Sequence, residues 1–146
     1  MFITRATLDD LDAVLPLLAA QLAEHGMPQE TATLRAAVAG LLEAPDRGAM
    51  FVAKEGEALV GVASLSFTWT LEHGGRVVWL EELYVVPSAR AHGLGTKLLR
   101  VALAWAREAG CRAVDLEVDI DHARVESLYR RHQFEALPRR RFSLRL

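Results

Sequence analysis

Between Val85 and Thr96 a hydrophobic run ends at Pro87 and gives way to Arg90-Ala91-His92-Gly93-Leu94-Gly95-Thr96, after which apolar residues recur at helical spacing. An Arg-x-x-Gly-x-Gly loop between a strand and a helix is suited to holding a diphosphate. Successive backbone N–H groups point outward, the helix dipole adds partial positive charge, and the glycines let the chain approach an anion closely. Just upstream, Trp79-Leu80-Glu81-Glu82-Leu83 places two adjacent carboxylates on the strand that feeds this loop. With a side-chain period of two they point to opposite faces, so only one is expected to face a given cleft.

Several anions could own the loop. Gly93-x-Gly95, with Asp115 and Glu117 about 20 residues on, partly fits a dinucleotide fingerprint. Against it, Leu98 occupies the third glycine position and little chain remains after the acidic strand. A nucleoside-triphosphate loop fits less well, because Gly93-Leu94-Gly95-Thr96-Lys97 lacks the four-residue spacing before Gly-Lys-Ser/Thr. A further alternative is that the glycines only shape a tight turn.

The charge balance favours an anion here. The 146 residues carry a formal charge of −2, but residues 1–85 hold five Lys/Arg against twelve Asp/Glu while residues 86–146 hold twelve against seven. The loop lies in the basic half, and the acidic half suits a cation. Half of the residues are apolar, enough for one compact domain over 1–146. No apolar run is long enough to span a bilayer and no secretory leader opens the chain, so a cytoplasmic location is expected. The single Cys111 excludes an internal disulfide.

The elements that must position these residues follow from periodicity. Phe2–Ala6 is predicted as a strand, Thr7 and Asp10 as a capping pair, and Leu8, Leu11, Val14, Leu15, Leu18 and Leu22 as one face of a helix kinked or split at Pro16. A second helix is predicted from about Pro28 to Glu43. Met50–Lys54, Ala58–Thr70 and Arg76–Val86 read as an antiparallel meander. A helix after the loop closes at Gly110, and Ala113–Asp119 alternates as a strand. His122–His132 reads as a last helix, and Phe134–Leu137 with Arg141–Leu146 as a closing hairpin. The expectation is an α/β (α+β) fold, a mixed, mostly antiparallel sheet with helices on both faces, in the order β-α-α-β-β-β-α-β-α-β-β. Val78–Asp119 supplies its one parallel crossover.

Leu83-Tyr84-Val85-x-Pro87 followed by Arg90-x-x-Gly93-x-Gly95 resembles the acyl-CoA-binding motif of the GNAT N-acetyltransferase superfamily, and the element order is similar along the whole chain. The resemblance implies acetyl-CoA as donor. Leu83, Tyr84 and Val85 would meet pantetheine, and Arg90, Ala91, His92, Gly93, Leu94, Gly95 and Thr96 the pyrophosphate. Leu80–Val85 is similar to a segment of diamine and polyamine acetyltransferases, which implies Glu81 as base and Glu82 as a secondary acceptor-binding acid. Phe67-Thr68-Trp69 looks like the same subgroup, with Trp69 placed to stack on an amine, although an aromatic in a strand is commonly core. Leu128-Tyr129-x-x-x-Gln133-Phe134 resembles a segment whose tyrosine, here Tyr129, protonates the coenzyme A sulfur. His122, Val125 and Gln133 depart from that segment's Asn, Ala and Gly, and His122 is retained as a cofactor-side donor. Glu24 and His25 stand where acceptor specificity often resides in the family.

Other residues read more plainly. Cys111 is expected to be a packing residue. His73, His92 and His132 show no grouping with carboxylates, so no metal is expected. Arg139-Arg140-Arg141 reads as a solvated turn, so no nucleic acid is expected, and no membrane. The leading expectation is N-acetylation of a small cationic amine by direct attack in a ternary complex. A peptide amine, or an acyl-CoA-binding sensor or assembly module with little catalysis, are the alternatives. A homodimer is plausible from the apolar C-terminal edge.

Overall fold

A computed structural model describes residues 1–120 and 122–146. Its elements are β1 (Phe2–Arg5), α1 (Leu11–Glu24), α2 (Thr31–Glu43), β2 (Gly48–Glu55), β3 (Ala58–Thr70), β4 (Gly75–Val85), α3 (Leu94–Glu108), β5 (Ala113–Leu116) and α4 (Ala123–Arg131). The strands lie in the sheet in chain order, antiparallel from β1 to β4, and β5 joins β4 in parallel through α3.

Alternation along the strands builds two cores. Phe51, Ala63, Leu65, Val78 and Leu80 face α3 and α4, whereas Met50, Val52, Val62 and Tyr84 face α1 and α2. Pro16 does not split α1. Thr7 and Asp10 form a reciprocal capping box on a short 3-10 turn, Leu8–Asp10, and the helix runs unbroken from Leu11 through Pro16. With Pro16 only one turn in, the missing N–H removes a single early bond. The second helix starts at Thr31, three residues later than expected from Pro28.

Two features of the sheet prepare the site. β5 pairs with β4 only from Val77 to Leu80, so β4 from Glu81 to Val85 has no strand on that side. A β-bulge also shifts the β3–β4 register: Leu65 faces Leu80 but Ser64 faces Glu82, which leaves Glu81 as the extra residue. Bulges re-aim side chains. Here the bulge returns Glu82 and Tyr84 to the α1 side although Leu80 points to the α3 side.

The closing hairpin does not form. Among the described residues neither Phe134–Leu137 nor Arg141–Leu146 joins the sheet, and within the tail the Arg139 N–H donates to Leu137 O at 2.9 Å. Side chains hold the segment instead. Arg139 donates to Glu72 and Arg141 to Glu117, each at 2.6 Å, so the tail lies against the sheet through ion pairs rather than a ladder. Phe142, Leu144 and Leu146 are exposed. Among the described residues no helix is long and apolar enough to cross a membrane.

Candidate active site

The glycine loop is built as an anion cradle. Gly93 caps α3 with φ 76°, and no side chain caps the first turn, so the amides of Leu94, Gly95 and Thr96 keep their donor capacity. A Cβ added at Gly93 or Gly95 would meet nothing within 4 Å, which leaves the outer side of the loop open to a ligand. Leu94 is buried and pins the helix start to the α3-side core. Ala91 also has a positive φ, 67°, a turn the residue types did not announce. His92 is exposed. Arg90 turns back as a clasp: its Nε donates to Val85 O at 2.8 Å, its Nη2 to Glu24 at 3.0 Å, and its guanidinium lies 5.4 Å from the Tyr84 ring centre. Glu24 is thereby engaged with the loop's own arginine.

Beside the loop, the open edge of β4 offers backbone groups. Leu83 O accepts from Gln21 Nε2 at 3.5 Å and Val85 O from Arg90, so the backbone of these two residues points into the gap left by β5. The N–H of Val86 instead bonds to Val60 O on β3 at 3.0 Å.

Both carboxylates of the Glu81–Glu82 pair line one cleft, with His25, Asp119, His122 and Tyr129. The expectation that only one could face it fails because the bulge breaks the period of two. The two acids are nevertheless different. Glu81 is exposed and accepts a hydrogen bond from Ser66 Oγ at 2.6 Å. Glu82 is half-buried, and desolvation raises its pKa above the ordinary value. Gln21 and His25 oppose that rise, and the charges of Glu81 and Asp119 reinforce it. Tyr129 is buried, its ring edge-on to Phe134 at 5.6 Å. Burial first, then the nearby Glu82 charge, push its pKa up to about 12, so it keeps its proton at neutral pH. Cys111 packs against the α3-side core, and desolvation raises its pKa, the opposite of an activated nucleophile.

Other expected residues stand elsewhere. Trp69 is 76% exposed and does not line the cleft: it shares the face of Phe67, toward α3, so it is neither beside the carboxylates nor core. The tryptophan in the cleft is Trp79, over which the Arg141 guanidinium lies at 5.2 Å. His73 does meet carboxylates: its Nε2 is 3.1 Å from Asp115 and 3.8 Å from Glu72, because the β3–β4 turn lies next to β5. His25 Nδ1 contacts Asp119 Oδ2, and the His122 ring is 5.5 Å from that of His25. Gln21, Ser66, Trp79 and Asp119 were not singled out from the sequence. Gln21 alone carried a signal, a polar residue in the buried stripe of α1 with Val14, Leu17 and Leu18.

Residues 12–134 match the sequence model of the Acetyltransferase (GNAT) family. The chain belongs to that family. An aminoglycoside N(6')-acetyltransferase type 1 of Klebsiella aerogenes is 43% identical over 76 residues, 51% of this chain and 49% of that protein. A thialysine N-epsilon-acetyltransferase of Mus musculus is 34% identical over 79 residues, 52% of this chain and 44% of that protein. The chain thus spans about half the length of these relatives. An aminoglycoside N-acetyltransferase solved in complex with CoA superposes with a TM-score of 0.84 at 22% identity, covering 99% of this chain and 93% of the other, which establishes the shared fold. The expected layout of a mixed sheet with helices on both faces is that of this GNAT family, apart from the two closing strands.

Proposed function

We propose that the protein is an acetyl-CoA-dependent N-acetyltransferase, a single domain that acetylates a primary amine of a small cationic acceptor. Family membership supports the reaction class and the donor. The residues present fit that donor: an uncapped helix start behind an open glycine loop suits a diphosphate, and the unpaired edge at Leu83 and Val85 suits an amide-bearing arm. Bound there, acetyl-CoA supplies a thioester carbonyl as the electrophile.

The observation that carries the reading is the contrast in one cleft between Glu82, a half-buried carboxylate with a raised pKa, and Tyr129, a buried phenol held protonated. A base and an acid of this kind are what acyl transfer to an ammonium needs. Glu82 takes a proton from the acceptor's ammonium and frees the nitrogen lone pair for attack. The open-edge amides of β4 stabilise negative charge on the carbonyl oxygen. Tyr129 returns a proton to the departing sulfur. These roles exchange those the resemblance implied for the acidic pair, since exposed Glu81, fixed by Ser66, suits an anchor for the acceptor's cationic body.

Glu81, Glu82 and Asp119 line the cleft and support the acceptor class, whereas Glu72 and Glu117 in the same lining are already held by Arg139 and Arg141. The two relatives are named for the nitrogen they acetylate, N(6') of an aminoglycoside and N-epsilon of thialysine. The proposed setting is the cytoplasm, and exposed Phe142, Leu144 and Leu146 support a homodimer. Thiol release from acetyl-CoA against aminoglycosides, thialysine, polyamines and peptides tests the reading. Turnover is expected with cationic small amines. Turnover restricted to peptide amines overturns the acceptor class, and tight acetyl-CoA binding without turnover on any amine overturns the enzyme reading in favour of a sensor.

A further inference from the structure

His25 is the C-terminal cap of α1, and Asp119 and His122 lie on the segment between β5 and α4. Distant in sequence, they converge at the mouth of the cleft. His25 Nδ1 contacts Asp119 Oδ2, the two imidazole rings are 5.5 Å apart at 49°, and one ligand atom from each of the three residues lies within 4.8 Å of the others. We propose that His25, Asp119 and His122 form a binding site for a divalent transition cation of the Zn²⁺ class.

The donor set selects the ion. Two imidazoles and one carboxylate suit borderline metals such as Zn²⁺ and Co²⁺, whereas Mg²⁺ and Ca²⁺ prefer oxygen donors throughout. Two ligands each about 2.1 Å from one tetrahedral ion are about 3.4 Å apart, so the direct His25–Asp119 contact opens to admit the ion and the wider spacings close, by rotation of side chains that border solvent. The surroundings also favour a cation. The C-terminal end of α1 presents partial negative charge, and the Glu82 carboxylate is near enough to interact with both His25 and Asp119. Three protein ligands leave a coordination position for water or an amine nitrogen.

The second histidine cluster, Glu72, His73 and Asp115, differs in kind. It has one imidazole and two carboxylates, and Glu72 is already held by Arg139. It serves as an internal comparison.

Metal binding stands apart from the acetyltransferase reading, but its effect on turnover rests on that reading. A bound dication at the mouth of the cleft repels a cationic acceptor, so Zn²⁺ is expected to raise the acceptor KM and leave the acetyl-CoA KM unchanged.

The test uses full-length, tag-free, metal-stripped protein titrated with Co²⁺, followed by visible d–d absorption, and with Zn²⁺ by calorimetry. One equivalent is expected to bind. His25→Ala and His122→Ala are each expected to weaken binding by about 10²-fold or more, since loss even of an outer partner costs about 10–100-fold. His73→Ala is expected to bind as the unsubstituted protein does. Unchanged circular dichroism and thermal melting in the variants show that they fold. No saturable binding of either ion, or equal binding in both histidine variants, overturns the site. Binding that both variants lose, without any effect of Zn²⁺ on turnover, supports the site and overturns the placement of the acceptor beside it.

Discussion

The two ends of the cleft are made in opposite ways. The proposed donor end is one stretch of chain, Leu83 to Thr96, tied to the rest of the fold at a few points such as Gln21 to Leu83 and Arg90 to Glu24. The acceptor end is assembled from the end of α1, a bulge in β4, the segment after β5 and the C-terminal tail. A contiguous cradle tolerates little change in backbone but asks little of the rest of the fold. An assembled pocket depends on tertiary placement, and there the environment rather than residue type separates Glu81 from Glu82.

The sharpest way to break this comparison is at Glu82. Glu82→Gln keeps the shape and removes the base, so kcat is expected to fall by about 10³-fold with the acetyl-CoA KM unchanged. In the unsubstituted protein kcat/KM is expected to rise with pH as Glu82 deprotonates, with a midpoint above the ordinary 4.5, and the variant is expected to lose that limb. Stability runs the other way. A carboxyl whose pKa is raised by folding binds its proton more tightly in the native state, so its contribution is complete below the ordinary value and lost as pH rises through the raised one. Glu82→Gln is therefore expected to melt higher than the unsubstituted protein at neutral pH, and the difference to vanish in acid. Glu81→Gln, exposed and solvated, is expected to affect mainly the acceptor KM. The reverse pattern, with Glu81→Gln the slower enzyme, returns the base to Glu81.

Tyr129→Phe comes next. It keeps the edge-on packing with Phe134 and removes one proton, and a loss of about 10²-fold in kcat is expected. With a donor thioester of lower thiol pKa in place of acetyl-CoA, the loss shrinks. A loss independent of the leaving group leaves Tyr129 a packing residue.

Gly93→Ala probes the donor end. Its φ of 76° costs a residue with a Cβ about 1–2 kcal/mol, and a Cβ there meets nothing within 4 Å, so the penalty is conformational rather than steric. Acetyl-CoA affinity is expected to weaken about tenfold, the acceptor KM to stay unchanged. Loss of acceptor affinity instead would mean that the two ends are not independent.

The same contrast governs what was legible in the sequence. The glycine loop, the meander and the α3 crossover are local patterns, and each forms close to its expected bounds. The β4 bulge left only a trace: Glu81-Glu82 interrupts the apolar–polar alternation between Leu80 and Leu83, but only the register against Ser64 and Leu65 shows that Glu81 is the extra residue. Trp69 and Trp79 look alike as strand aromatics, and only the pairing decides which of them faces the cleft. The tail alternates like a strand, yet Arg139 and Arg141 find Glu72 and Glu117, carboxylates remote in sequence, and no ladder forms.

The smallest effect concerns how α4 holds Tyr129. Three helices end alike: Met27 N–H bonds to Leu22 O, Cys111 N–H to Ala106 O and Phe134 N–H to Tyr129 O, each after a residue of positive φ. This is the Schellman arrangement, and in α4 it includes the apolar contact between Phe134 and Tyr129. In α1 and α3 the left-handed residue is Gly26 or Gly110, but in α4 it is Gln133, at φ 69°. That conformation costs a residue with a Cβ about 1–2 kcal/mol, whereas glycine there loses about 0.5–1 kcal/mol through its freer unfolded state. Gln133→Gly is therefore expected to stabilise the fold by about 0.5–1 kcal/mol, raising Tm by about 2–3 °C. Because the motif ends on the turn that carries Tyr129, the gain is expected with kcat unchanged. A gain in Tm accompanied by a fall in kcat would show that the Gln133 side chain itself serves the acceptor end, where it lines the cleft.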